Sequence, residues 1–278
     1  MTNELNTLVS IVLPTYNRIS LLEKAVNSIL EQSYQNWELI IIDNDSTDYT
    51  ERFITSLSEK EKRISYLNTN KSPGGGISQY LNFGIQNSAG KYIARMDDDD
   101  IWPDRDKLKK QVEFLDANPD YVICGGGVIM VDSSGREMYR LFKNETDEEI
   151  RRKALMACPF EHTTIMFSKD ASISAGGYRN YRVCEDWDFF LRLGLIGKFY
   201  NFKCHFTNYL QSGANISLNE QSLVAKTELK IIHEYRKYYP NYFAGMIIHI
   251  IQYLYSFFPE ILKNRVQYFL RYIKRKFL

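Results

Sequence analysis

A chain of 278 residues with 44% hydrophobic and 14% aromatic side chains is long enough to bury a large core and too apolar to stay disordered. Thirty-five basic residues against 34 acidic ones leave a formal charge of +1, which excludes the broad positive field of a nucleic-acid binder. Four widely spaced cysteines, Cys124, Cys158, Cys184 and Cys204, form no CxxC pair and fit free thiols in a reducing compartment better than disulfides or a zinc site. The polar start MTNELNTLVS lacks the basic, apolar, small-residue order of a signal peptide, so the cytoplasm is the expected location.

Residues 9–14 (VSIVLP) form a continuous apolar run ended by a proline, the pattern of a strand buried on both faces. Ser20 is placed to cap a helix over 21–32, where apolar residues recur at helical spacing. Residues 37–42 (WELIII) read as a second buried strand, closed by the polar stretch Asp43 to Asp48, and 50–57 continue as a helix. A short strand over 64–67, a turn at Gly74, Gly75 and Gly76, a helix over 77–87 and a strand over 91–96 complete the alternation. Such alternation predicts a mainly parallel sheet with right-handed crossovers, helices on both faces, and ligands beyond the carboxyl ends of the strands. The polar clusters fall there: Thr15, Tyr16 and Asn17 after the first strand, Asp43 to Asp48 after the second, Asp97 to Asp100 after the fourth.

The last cluster organises the chain. Four consecutive carboxylates repel one another, and a shared divalent cation keeps them ionised, hard oxygen ligands suiting Mg²⁺ or Mn²⁺. An acidic solvated loop has the same composition. Beyond Trp102 the pattern changes to a helix over 107–118, strands over 122–131 and 137–142, a helix over 146–156 and a strand over 164–167. From Gln221 the chain turns helical, aromatic and basic. Residues 242–262 are apolar but interrupted by His249, Gln252, Pro259 and Glu260, which makes them a poor membrane span. Residues 264–278 mix Arg265, Arg271, Lys274, Arg275 and Lys276 with aromatic and aliphatic side chains, which suits a helix on an anionic membrane surface. A helix packed on the domain, or a dimer seam, is the other reading.

Taken in order, IVLPTYNR, WELIIIDNDSTD, AGKYIARMDDDDIW, HTTIMF, GGY and EDWDFFLRL resemble the family 2 glycosyltransferases, inverting nucleotide-sugar enzymes of GT-A fold, over about residues 8–217. The resemblance implies an α/β catalytic domain over 1–217, its mainly parallel nucleotide-binding sheet flanked by helices, and a helical C-terminal segment over 218–278. It implies that Pro14, Thr15 and Tyr16 pack the nucleotide base, the ring of Tyr16 offering a stacking face. Asp43-Asn44 stands where the family usually has Asp-Asp, whose second member accepts from the uracil ring N–H. Asn offers a donor and an acceptor on one amide and loses the charge suited to the two donors of guanine, which favours UDP- or dTDP-sugars. Asp97, Asp98 and Asp99 overlay the Asp-x-Asp motif, the last binding the metal that bridges the diphosphate and the first serving the ribose or metal-bound water. Ile101-Trp102 sets the frame at Asp97 and Asp99. Glu185-Asp186-Trp187 resembles the Glu-Asp-aromatic motif whose Asp is the general base. At a helix start the dipole is expected to keep Asp186 ionised, although an aspartate there is also an ordinary cap. Trp187 stacks on the acceptor or belongs to the core, and His162 is expected as a buried structural histidine.

One departure stands out. The family often holds the diphosphate with an Arg and a His in the segment equivalent to 208–217, and this chain has Leu210 and Ser212 there, leaving Lys71 or Arg105 as candidate cations. The implied activity is transfer of a sugar from a nucleotide-diphosphate sugar to a hydroxyl of a lipid-linked saccharide acceptor, in bacterial surface polysaccharide assembly at the inner face of the membrane. Its alternative is a non-catalytic nucleotide-sugar-binding or scaffolding protein of the same fold. A sugar nucleotidyltransferase would need a Gly-rich basic loop after the first strand, which PTYNR is not. Donor sugar, linkage and oligomeric state are not fixed by any motif.

Overall fold

The computed structural model describes residues 6–69, 76–211 and 219–259. Four strands alternate with helices as the apolar runs predict: β1 (Val9–Thr15), α1 (Ile19–Leu30), β2 (Trp37–Asp43), α2 (Thr50–Lys60), β3 (Ile64–Asn68), α3 (Ile77–Gln86) and β4 (Tyr92–Arg95). There follow α4 (Lys107–Ala117), β5 (Tyr121–Val131), β6 (Glu137–Leu141), α5 (Asp147–Lys153), β7 (Met166–Ser168), α6 (Lys169–Ser174), α7 (Glu185–Leu193), β8 (Lys198–Leu210), α8 (Gln221–Glu234) and α9 (Tyr242–Ser256). One sheet runs β3-β2-β1-β4-β7-β5-β6, with β8 on the other side of β5. β1 to β4 pair in parallel, as do β5 and β8, whereas β7 joins the two halves antiparallel to both β4 and β5.

Both faces of this sheet are covered, and side chains alternate between two cores with the period of a strand. Ile11, Leu13, Leu39 and Ile41 face the core that also takes Leu22, Val26 and Ile29 of α1. Val12, Ile40, Ile42 and Ile93 face the core that takes Leu81 of α3 and Phe190 of α7. Ile231 and Ile232 of α8 join that second core. The register pairs Thr15 with Asp43 at the ends of β1 and β2, so their polar followers emerge at one edge.

The differences from expectation are local. α1 begins at Ile19, whose N–H is held by the Asp48 carboxylate at 3.3 Å; Ser20 is within the first turn and caps nothing. α6 and the long β8 carried no clear period in the sequence. The turn at Gly74 and Gly75, and Ser212, lie outside the described residues.

Candidate active site

The first two strand ends are tied to each other by side chains. Asp43 Oδ1 accepts from the backbone N–H and hydroxyl of Ser46 at 3.0 and 2.6 Å, and Oδ2 accepts from the Tyr66 hydroxyl at 3.0 Å. Asn17, at a positive φ of 51°, donates its N–H to Ser46 Oγ at 2.9 Å and accepts from the N–H of Thr47 at 2.7 Å. Beside them Asn44 accepts from the Tyr80 hydroxyl through its side-chain oxygen. Tyr16 is 52% exposed at this rim.

The aspartate run alternates in direction. Asp98 turns inward and accepts from the Thr15 hydroxyl at 2.8 Å; Asp100 also turns inward and accepts from the Leu210 N–H at 3.1 Å. The side chains of Asp97 and Asp99 keep 34% and 18% of their exposure, against 8% for Asp98. Two arginines answer this charge. Arg18 Nη1 bridges Asp98 at 3.2 Å and Asp99 at 2.9 Å, and the buried Arg95 holds Asp97 at 2.5 Å. Burial pushes the Asp97 carboxyl up, but Arg95 overrides it and holds the group below its usual range. Burial, with the charges of Asp97 and Asp98, lifts Asp99 to about 6, and burial with Asp97 and Asp99 lifts Asp100 well above the ordinary value.

The start of α7 belongs to the same neighbourhood, since Glu185 feels the charges of Arg95 and Asp97. Cys184 takes a left-handed conformation there with φ of 62°, which turns the chain so that Glu185 and Asp186 head the helix. Asp186 Oδ1 accepts from the Trp187 N–H at 2.8 Å. The helix start does not hold Asp186 at low pKa, as the dipole argument expected: burial dominates and raises it, and Glu185 is raised by burial and by Asp186. Tyr178 connects the two acidic groups. Its hydroxyl meets His162 Nε2 at 2.8 Å and feels the charges of Arg95, Asp186, Glu185 and Asp97, while Glu185 itself feels Arg95 and Asp97. His162 is pushed down to about 3 by burial and then by Arg95, so it is neutral and serves as a structural partner of Tyr178.

Several expected roles change. Trp187 is 2% exposed, donates its indole N–H to the Ala154 carbonyl at 2.9 Å and packs in the core, so it offers no face to an acceptor. Pro14, Thr15 and Asp43 are buried; Thr15 positions Asp98 and Asp43 positions its own loop, leaving Tyr16 and Asn44 nearer the surface. Arg105 pairs with Glu31 at 3.1 Å, beside the end of α1. Lys71 lies outside the described residues. The stretch 208–211 does border the aspartates: Asn208 and Ile101 exchange backbone hydrogen bonds of 3.2 and 2.7 Å. Sequence reasoning missed Arg18, Arg95 and Tyr178. Arg18 and Tyr178 close the stretches IVLPTYNR and GGY, which mark their positions but not their roles, and Arg95 is a charge inside the apolar run KYIARM.

Among the described residues no three His, Cys, Asp or Glu side chains converge into a ready metal cage. Mg²⁺-like chemistry asks for less than such a cage: one or two carboxylates, with substrate phosphates and water completing the shell. The donor chemistry fits: Asp97 and Asp99 present the hard oxygens such an ion takes, each paired here with an arginine, Arg95 and Arg18.

Residues 10–181 match the family model described as Glycosyl transferase family 2. EpsE of Bacillus subtilis (strain 168), whose name assigns it as a glycosyltransferase, is 36% identical over 191 residues, covering 66% of each chain. The amylovoran biosynthesis glycosyltransferase AmsE of Erwinia amylovora is 34% identical over 123 residues, 44% of this chain and 45% of its own. The chain spans as little as 22% of other curated relatives. Among solved structures, S. aureus TarS 1-349 in complex with UDP-GlcNAc superposes with a TM-score of 0.66 at 16% identity, over 90% of this chain and 73% of that one, a likeness of fold.

Proposed function

The chain belongs to glycosyltransferase family 2 and has its mixed α/β fold, and from that premise we propose an inverting transferase that moves a sugar from a nucleotide diphosphate to a saccharide hydroxyl. One observation carries the reading: the partly exposed carboxylates Asp97 and Asp99, each paired with an arginine, share a neighbourhood with a second acidic pair, Glu185 and Asp186, for Glu185 feels the charges of both Arg95 and Asp97. Inversion needs this division, since charge on the departing diphosphate has to be met on one side and the acceptor proton removed on the other. Asp97 and Asp99 would hold a Mn²⁺ or Mg²⁺ ion, which when bound supplies Lewis-acid neutralisation of the diphosphate. Asp186 takes the acceptor proton; its raised pKa suits a base that works near neutral pH. Glu185 shares its charge and Arg95 anchors Asp97.

Tyr16 offers the base a ring, and Asn44 reads its edge. The Tyr80 hydroxyl on the Asn44 oxygen orients the amide, leaving its N–H₂ for a base carbonyl and its second lone pair for a ring N–H, the edge of uracil or thymine. This supports UDP- or dTDP-sugars as donors. The acceptor is a lipid-linked saccharide of surface polysaccharide assembly at the cytoplasmic face of the membrane, a reading that AmsE, named for amylovoran biosynthesis, supports by likeness.

The test is nucleoside diphosphate release from UDP- or dTDP-sugars with Mn²⁺. Slow release is expected from the parent and none from Asp99→Ala. Equal release by the variant overturns the metal assignment. Calorimetric binding of UDP without turnover on any acceptor would favour a non-catalytic binding protein.

A further inference from the structure

From Tyr242 to Pro259 the sequence contains no Asp, Glu, Lys or Arg. The inner side of α9 is closely fitted to the domain: a Cβ on Gly245 would come within 2.2 Å of the Leu155 carbonyl oxygen, and the buried His249 ring lies 5.2 Å from Trp187. The outer side is bare. Phe243, Ile247, Ile250, Ile251, Leu254 and Phe257 are 41 to 79% exposed. At about 100° per residue they fall within an arc of roughly 120°, opposite Gly245 and His249. A contiguous stripe of six large apolar side chains marks an interaction site.

We propose that this stripe is the membrane-docking face of the protein, with α9 lying in the interfacial layer of an anionic bilayer. No helix among the described residues is long and apolar enough to cross a membrane, so α9 lies on the bilayer. The sequence after it, 260–278, carries Lys263, Arg265, Arg271, Lys274, Arg275 and Lys276 against Glu260 alone. A second copy of the chain would bring like charge against like, whereas anionic headgroups neutralise it. The inner side of α9 touches Trp187, the residue after Asp186. Docking therefore sets the acidic pair of α7 one helix layer from the lipid surface. This last point rests on the transferase reading, in which a lipid-linked acceptor presents its sugar there; the docking itself does not.

The experiment is co-sedimentation of the full chain with phosphatidylcholine vesicles, with and without phosphatidylglycerol, for the parent and the Ile247→Glu/Leu254→Glu double variant. The parent should pellet with the anionic vesicles, less so as salt rises, and the double variant should lose binding roughly tenfold or more. Its melting temperature and its nucleoside diphosphate release in solution should match the parent. A parent that ignores anionic vesicles, or a double variant that binds them equally, overturns the proposal. So does a vesicle-free dimer that the same substitutions dissociate, because a second copy then covers the stripe. Lost docking with intact release leaves the transferase reading standing; absent release with intact docking removes that reading alone.

Discussion

Replacing Asp186 by Asn should separate catalysis from stability. The Asp186 carboxyl is half-buried, and burial, with Glu161 second among the causes that raise it, lifts its pKa in the folded chain. In the unfolded chain it ionises in the ordinary range near pH 4. Below that pH both states are protonated and nothing separates them. As pH rises, the unfolded chain loses its proton first, and above the folded pKa the full penalty against folding is present. Each unit of displacement is about 1.4 kcal/mol, so one to two units, halved for solvent contact, leave about 0.7 to 1.4 kcal/mol. Asn keeps the acceptor for the Trp187 N–H and carries no charge. The variant should therefore melt roughly 2 to 4 °C above the parent at neutral pH, with the gap closing towards acid. Turnover should fall by about 10² to 10⁴, the share of a general base. The parent's kcat/KM should rise with pH along a limb displaced above the ordinary carboxylate range. Melting curves from acid to neutral pH and a nucleoside diphosphate release assay read all three. A variant that melts lower at neutral pH refutes the burial argument; one that keeps turnover refutes the base assignment.

Asp188, one residue beyond Trp187, predicts the opposite. It is fully buried and accepts from Tyr235 at 2.8 Å, Arg192 at 2.9 Å and Arg179 at 3.3 Å, fastening α8 to α7. Asp188→Asn leaves buried guanidinium charge unmatched, so melting should drop by roughly 10 °C, and a drop below about 2 °C would sink this account. Gly194→Ala brings a Cβ within 2.1 Å of Phe199 and 2.2 Å of Tyr239, both packed in the core. A loss of about 1 to 3 kcal/mol is expected as a lower denaturant midpoint at unchanged slope, and an unshifted midpoint would show that the rings give way freely.

The first half of the fold is legible because its strands are buried on both faces and read as apolar runs, each closed by a polar cluster. The second half is less so. β8 mixes polar and aromatic residues in NFKCHFTNYL, and its pairing with β5 joins segments far apart in the chain. Trp187 follows an acidic pair in a way that suits stacking or core equally, and only the Ala154 carbonyl and His249 around it decide. Tyr178 closes the GGY stretch, which marks the position but does not announce the hydroxyl that meets His162. Ser20 has the right type for a cap, but Asp48, arriving from another loop, takes the N–H first.

Four identical residues in a row look interchangeable, yet Asp97, Asp98, Asp99 and Asp100 have four different sets of partners: Arg95; Thr15 with Arg18; Arg18; and the Leu210 N–H. Pleat-like alternation makes the length of the run as binding as its composition. Deleting one aspartate would leave three acids and swap which of them look outward. A fifth would bring no spare coordination, only a phase error that travels to Ile101 and its bridge with Asn208.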